Sequence, residues 1–340
     1  MQLELGIDTF GDVTRGADGL LRSHAQVIRD TLAEGELADQ VGLDYIGLGE
    51  HHRPDFAISS TEPILSAILA RTERIKAGTS VTVLSSDDPI RVFQRFATLD
   101  ALAPGRAEIT IGRGSFTESF PLFGFDLNDY EVLFSEKSQL LHLLATQEKV
   151  SFEGETRTPL KGVTVYPRPE TPLRIWRGVG GTPQSVVEAA AMQMDLMIAI
   201  IGGDSTRFRP HVDLFHRAHA QMGTKPGRIG VHSPGHIAET DEIAREEYFE
   251  GYARMHDAIG RSRGWPPLRR EAYLSEVEHG SLYIGSPETV ARKIARTVKA
   301  LGLSRFTLKY SGGPQDPAHL RKTIELYGTK VRPLLADMLD

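Results

Sequence analysis

The chain has 340 residues, with 39 basic and 45 acidic side chains, a formal net charge of −6 and 40% hydrophobic residues. That balance is of an ordinary folded protein and excludes disorder, and the acidic excess argues against a nucleic-acid partner, because phosphate binding needs a basic face. There is no cysteine, which excludes disulfides, thiolate nucleophiles, iron–sulfur clusters and cysteine-ligated zinc.

Short apolar runs alternate along the chain with amphipathic segments. Residues 3–7 read as a first strand with no basic leader before it, so no secretory signal is expected. Residues 27–41 read as a helix, stopped at Gly42. Residues 45–48 form a second strand, 63–72 a helix and 76–83 a β-branched third strand. A helix over 89–101 opens with proline in its first turn, and strand four follows at 107–111 after the Pro104-Gly105 turn. Residues 130–145 read as helix. The proline-rich stretch 150–172 reads as an excursion with a hairpin. Strand five is expected at 173–176, a helix at 183–192, strand six at 196–201, a long helix at 205–222 and strand seven at 228–232. Charged residues crowd 240–270, which reads as solvated helix and loop. A helix at 287–301, strand eight at 305–309 and a closing helix at 317–337 complete the pattern.

Eight strand–helix units fit one α/β domain over residues 1–340, a (β/α)₈ TIM barrel. The chain is longer than a barrel of about 250 residues, so insertions are expected at 115–128, 150–172 and 240–283. A doubly wound sheet shows the same alternation but needs a phosphate loop near the start. Gly6-Ile7-Asp8-Thr9-Phe10-Gly11 has too few glycines for that. No stretch approaches the roughly 18 apolar residues of a membrane span, and the expected compartment is the cytoplasm.

Barrel chemistry is done at the carboxyl ends of strands. Strand two ends in Gly49-Glu50-His51-His52. Neighbouring side chains of an extended segment face opposite ways, so one histidine faces the barrel mouth and the other does not. That argues against a metal, which needs both on one face. Histidine suits acid–base work near neutrality, and a pair of surface histidines is the alternative. Strand three carries Thr79-Ser80-Val81-Thr82; Ser80 and Thr82 either line the mouth or simply suit a strand. Strand four leads into Gly112-Arg113-Gly114, where Arg113 pairs with a phosphate or with a surface carboxylate. Strand five leads into Gly178-Val179-Gly180-Gly181-Thr182-Pro183, with Ser185 in the next turn. A glycine-rich entry to a helix start accepts anions, and a plain turn with a threonine cap is the alternative. Strand seven ends in His232-Ser233-Pro234. Phe116, Phe120, Phe123 and Phe125 either roof an apolar pocket or pack in the core.

Taken together, these segments resemble the luciferase-like flavin monooxygenases. The resemblance rests on Glu50-His51-His52, on Ala77 to Leu84 with Pro89-Ile90-Arg91, on Leu99 to Arg106 leading into Gly112-Arg113-Gly114, and on Ile324 to Val331. It implies a barrel that binds FMN at the strand ends. By similarity His51 is the catalytic histidine beside the flavin ring, and Ser80-Val81 is a non-proline cis peptide under it. Arg113 contacts the phosphate, joined by Gly180, Gly181, Thr182 and Ser185. The sequence departs from the luciferase subunit at Gly112, where that subunit has cysteine, at Gly181, where it has glutamate, and in having no matched mobile lid. The implied reaction is a monooxygenation of a small organic substrate by reduced FMN and O₂. A separate reductase supplies the reduced flavin, because no nicotinamide fingerprint is present. A homodimer is expected through the helices at 63–72 and 89–101. The alternatives are a deazaflavin-dependent hydride-transfer enzyme, a non-catalytic flavin-binding protein and a metal-dependent hydrolase.

Overall fold

The computed structural model describes residues 3–114 and 116–339. Among these, eight strands form a closed parallel barrel. They are β1 (Glu4–Thr9), β2 (Tyr45–Leu48), β3 (Lys76–Thr79), β4 (Ala107–Gly112), β5 (Arg174–Val179), β6 (Asp195–Ala199), β7 (Ile229–Ile237) and β8 (Arg305–Lys309). Each pairs in parallel with the next, and β8 closes on β1 through Glu4↔Arg305 to Asp8↔Lys309. This is the (β/α)₈ barrel that the alternating pattern predicts.

The outer helices are α1 (His24–Gln40), α2 (Thr61–Arg71), α3 (Pro89–Leu102), α4 (Tyr130–Thr146), α5 (Pro183–Ala191), α6 (Arg209–Met222), α7 (Pro287–Leu301) and α8 (Pro317–Leu326). Their starts are written locally. Asp88 caps α3 by accepting from Ile90 and Arg91 N–H at 2.8 and 3.1 Å, with Pro89 at the first position. Ser286 and Asp316 cap α7 and α8 before prolines in the same way. The apolar faces of strands and helices, such as Leu5, Ile7, Ile46, Ile109 and Leu308 against Leu65, Phe93, Ile294 and Ile324, make one core between the barrel wall and the helix ring. No helix among the described residues is long and apolar enough to cross a membrane.

Three strands depart from the sequence reading, and the closing helix expected at 317–337 is interrupted by a π-helical turn at Tyr327–Val331. The third strand does not run unbroken from 76 to 83; it stops at Thr79, passes a cis Ser80–Val81 bond and resumes as Thr82–Val83 on β4. Strand five runs on through Arg177, Gly178 and Val179, which the glycines made look like loop. Strand seven continues past Pro234 to Ile237. Proline is tolerated there because it falls in the gap between the β6 ladder, which ends at His232, and the ladder to Tyr283–Gly285, which begins at Gly235.

The excursion at 150–172 holds the expected hairpin, Val150–Phe152 against Leu160–Val163. After β7 come two helices, Asp241–Arg263 and Arg270–His279, then a short strand Tyr283–Gly285 paired with β7. They have their own small core of Tyr248, Tyr273, Val277, Leu282 and Ile284.

Candidate active site

Alternation decides what the barrel holds. On β1, Glu4, Gly6 and Asp8 point inward while Leu5 and Ile7 face the helices; on β8, Arg305, Thr307 and Lys309 point inward. The amino-terminal end of the interior is filled. Arg305 donates to Glu108 at 2.7 Å and to Glu4 at 2.6 Å, and its guanidinium stacks 4.2 Å from Tyr45 and 4.5 Å from Trp176. Lys76 and Arg228 also reach Glu4, each at 2.6 Å. Burial alone raises the Glu4 carboxyl, but Arg305 with Lys76 and Arg228 outweighs it and holds the group down at about 2.

The carboxyl end is lined by small residues instead. A Cβ on Gly47 would lie 2.9 Å from Ser80, and one on Gly112 would lie 2.6 Å from Val81. Larger residues there would collide with the Ser80–Val81 step, so the glycines leave it room and keep the mouth open.

His51 sits at this mouth, 8% exposed. Phe10, Phe56 and Phe116 surround its ring at centroid distances of 5.0, 4.6 and 4.8 Å. Glu118 lies 3.5 Å from its Nδ1. Its neighbours face elsewhere, as alternation requires. His52 packs against Phe123, and burial lowers its pKa. Glu50 turns under the mouth and accepts the Val83 N–H at 2.6 Å, fixing the segment after Ser80–Val81. Burial pushes Glu50 up to about 7. Thr82 does not line the mouth; its hydroxyl donates to Thr79.

The four phenylalanines after strand four do not cluster. Phe116 joins His51, Phe120 is buried against Tyr130, Phe123 is half exposed and Phe125 lies beneath Lys137. Two guanidiniums stack on Phe116: Arg53 at 4.7 Å and Arg263, the last residue of helix Asp241–Arg263, at 5.2 Å. The third insertion therefore reaches across to the His51 side of the mouth.

The second half of the site is the turn from β5 into α5. Gly181 has φ +131°, a conformation that needs glycine, and a Cβ at Gly180 or Gly181 would meet nothing within 4 Å. Thr182 holds the cap position of α5 but its side chain makes no capping bond; the sequence reading gave it one. Ser185 is buried in the first turn. Arg113 lies nearby but forks onto Glu131 of α4 at 3.1 and 2.9 Å, and its Nε has no partner.

Sequence reading missed Arg177. It is fully buried, bonded to Glu188, stacked 4.7 Å from Phe134, with Nε and Nη1 unsatisfied. The open glycine turn, the free Thr182 hydroxyl and these unmatched guanidinium nitrogens fit a phosphate monoester. Among the described residues no group of histidines and carboxylates could hold a metal ion.

Of the opposite wall the sequence reading named only His232. Asp8 Oδ2 and His232 Nδ1 lie 2.6 Å apart, and Phe10 stacks on the His232 ring at 6.1 Å. Lys309 pairs with Asp12 at 3.0 Å and lies 4.7 Å from the Phe10 ring. Burial raises the Asp12 carboxyl, but Lys309, Ser311 and the Gly313 N–H pull it below its ordinary range. The signal for this wall was present: charged residues at alternate positions of two otherwise apolar strands.

The luciferase-like monooxygenase family matches residues 9–305. An F420-dependent glucose-6-phosphate dehydrogenase of Kineococcus radiotolerans is 34% identical over 166 residues, 45% of this chain and 49% of that relative, so the match spans about half its length. The alkanal monooxygenase alpha chain of Photobacterium leiognathi is 23% identical over 355 residues, covering 93% of this chain and 95% of that one. Among solved structures, the oxygenating constituent of 3,6-diketocamphane monooxygenase from Pseudomonas putida, in complex with FMN, superposes with a TM-score of 0.77 at 19% identity, over 98% of this chain and 99% of that one. At that identity the likeness carries the fold.

Proposed function

The chain belongs to the luciferase-like monooxygenase family, and from that premise we propose that it is an FMN-dependent oxidoreductase that oxidises a small organic substrate with reduced FMN and O₂. One observation carries this reading: a histidine ringed by three phenylalanines and an anion-accepting helix start meet at the same end of the barrel. In this reading Gly180, Gly181, Thr182 and Ser185 hold the phosphate, Arg113 adds charge on leaving Glu131, and Ser80–Val81 lies under the ring. Bound flavin supplies the two-electron chemistry and the reaction with O₂. Phe10, Phe56 and Phe116 exclude water from the mouth. His51 holds and returns a proton at its imidazole, with Glu118 at its other nitrogen. A separate reductase delivers the reduced cofactor, and the protein pairs as a homodimer through α2 and α3, which light scattering at micromolar concentration checks.

A deazaflavin-dependent hydride transfer is the second reading, favoured by the 34% identical relative. Titrating the purified protein with FMN, riboflavin, FAD and a deazaflavin separates the two. The first reading expects FMN to bind most tightly and O₂ uptake to require reduced FMN. Retention of deazaflavin alone would hand the site to the second reading, and retention of neither would end both.

A further inference from the structure

The Asp8–His232 pair sits inside the mouth with no structural partner to explain it. Both side chains point inward, from strands that flank β8. Asp8 is wholly buried and His232 is 8% exposed. One carboxylate oxygen holds His232 Nδ1 at 2.6 Å; the other, Oδ1, has no hydrogen-bond partner. Lys309, opposite Asp8 in the ladder, is already committed to Asp12. The Thr307 hydroxyl, level with His232 on β8, is likewise buried and unpartnered. The carboxylates at the closed end of the barrel are treated differently, since Glu4 and Glu108 there are surrounded by guanidinium and ammonium groups. A carboxylate buried for stability is expected to be matched in that way.

An ionised carboxylate accepts only. It therefore fixes His232 with the proton on Nδ1 and leaves Nε2 bare. That nitrogen makes no hydrogen bond among the described residues, on a side chain that keeps some exposure. Phe10 lies between this imidazole and that of His51, with centroids 6.1 and 5.0 Å away.

We propose that Asp8 and His232 form a second proton-handling site, in which Asp8 orients His232 and His232 Nε2 exchanges a proton with a substrate hydroxyl. The substrate class is an alcohol, or the hydrate or enol of a ketone, on an apolar body that fits against Phe10, Phe56 and Phe116. In the step the substrate O–H bond breaks, an N–H bond forms at Nε2 and the electron pair stays on oxygen. Asp8 stabilises the resulting imidazolium, and the reverse step returns the proton. The inference rests on the oxidoreductase reading for its substrate, but its geometry stands without a cofactor.

The test labels histidine with ¹⁵N and reads the His232 tautomer by NMR in wild type and Asp8→Asn, with no cofactor present. Wild type is expected as the Nδ1–H form. In Asp8→Asn the amide can accept from Nδ1 or donate to it, so the preference for Nδ1–H is lost and the Nε2–H form is expected to rise. Turnover of the flavin-loaded enzyme with a panel of alcohols and ketones is expected to fall about 10²–10⁴-fold in Asp8→Asn and in His232→Gln, with flavin affinity unchanged. If Asp8→Asn fails to fold, the wild-type tautomer and His232→Gln decide. An Nε2–H tautomer in wild type, or turnover of His232→Gln within threefold of wild type, would overturn the inference. Loss of the proposed function is seen elsewhere, as a wild type that retains no flavin, while the tautomer is read without one.

Discussion

His51 and His52 are adjacent in sequence and differ in everything that matters for catalysis. His51 is ringed by Phe10, Phe56 and Phe116; His52 leans outward on Phe123. Positioned acid–base groups contribute about 10²–10⁴ in rate. His51→Ala is therefore expected to fold and bind flavin, yet lose turnover by roughly that factor. His52→Ala is expected to change turnover little, and stopped-flow reoxidation of bound reduced flavin compares the two without a known substrate. Equal behaviour of both variants would reduce His51 to a packing residue. Arg113 gives a second prediction. It forks onto Glu131, which is 69% exposed and easily displaced. Arg113→Ala should weaken FMN about 10–100-fold, the worth of a hydrogen bond to a charged group, and leave riboflavin unchanged. Glu131→Gln removes the competitor and should tighten FMN. Equal losses for FMN and riboflavin in Arg113→Ala would show that the arginine does not touch the phosphate. Residues announced by local pattern, such as Glu50-His51-His52 and the glycine run before Pro183, were legible in the sequence. Asp8 and Lys309 showed only as charges at alternate strand positions, and Phe10 and Arg177 not at all, because each gains its meaning from residues on other elements. Glu118 was hidden for the same reason, sixty-odd residues from the histidine it faces.

At the scale of elements, most boundaries could be read because caps and breakers mark them: Asp88-Pro89, Ser286-Pro287 and Asp316-Pro317 at helix starts, Gly42 and Gly302 at stops. The errors fell where tertiary pairing overrode local propensity, at β5 beyond Trp176, at β7 beyond Pro234 and at the break in the third strand. What the sequence hid most fully is how α1 meets β8. Glu34 of α1 is buried and accepts a hydrogen bond from the Tyr310 hydroxyl, just past β8, at 2.6 Å. Burial pushes Glu34 from an ordinary value of 4.5 up to about 7, against the pull of that bond. A carboxyl raised on folding favours the protonated folded state. Its contribution is fully present below the unfolded value and is lost as pH rises through about 7. Glu50 is raised to about 7 in the same way. Unfolding free energy is therefore expected to decline between pH 4.5 and 7.5, by about 3 kcal/mol for each group. Glu34→Gln is neutral throughout and should show roughly half the wild-type decline. Urea titrations at pH 5 and pH 7.5 measure it; an unchanged decline in the variant would show that Glu34 is solvated in the folded protein.

The whole barrel is divided between its two ends, as the fold generally divides stability from chemistry. The closed end is packed with Arg305, Tyr45, Trp176, Glu108 and Glu4, and every charge there has a partner. The open end has glycines, two imidazoles and the unpartnered atoms of Asp8 and Thr307. Arg305 is the residue on which the closed end depends, since it bridges two carboxylates and stacks on two rings. Arg305→Met keeps the length and apolar contact but takes from Glu108 its close guanidinium and leaves Glu4 to Lys76 and Arg228. Removing one partner of a buried pair typically costs about 3–5 kcal/mol. The sign with pH follows from the carboxylates. Glu4 is held near 2 in the folded protein against an ordinary 4.5, so its stabilisation is present above 4.5 and is lost as pH falls towards 2. In the variant Glu108, without its close guanidinium, takes up a proton at mild acidity and ceases to be a buried charge. The deficit of Arg305→Met should therefore be full at pH 7 and clearly smaller at pH 4, as read from urea midpoints at constant slope. Because the lesion lies at the end remote from His51, the fraction still folded at pH 7 should bind flavin with wild-type affinity. A deficit that does not shrink with acid would mean that the arginine acts through stacking on Tyr45 and Trp176 and not through its charge. Weakened flavin binding in the folded fraction would mean that the two ends of the barrel are coupled.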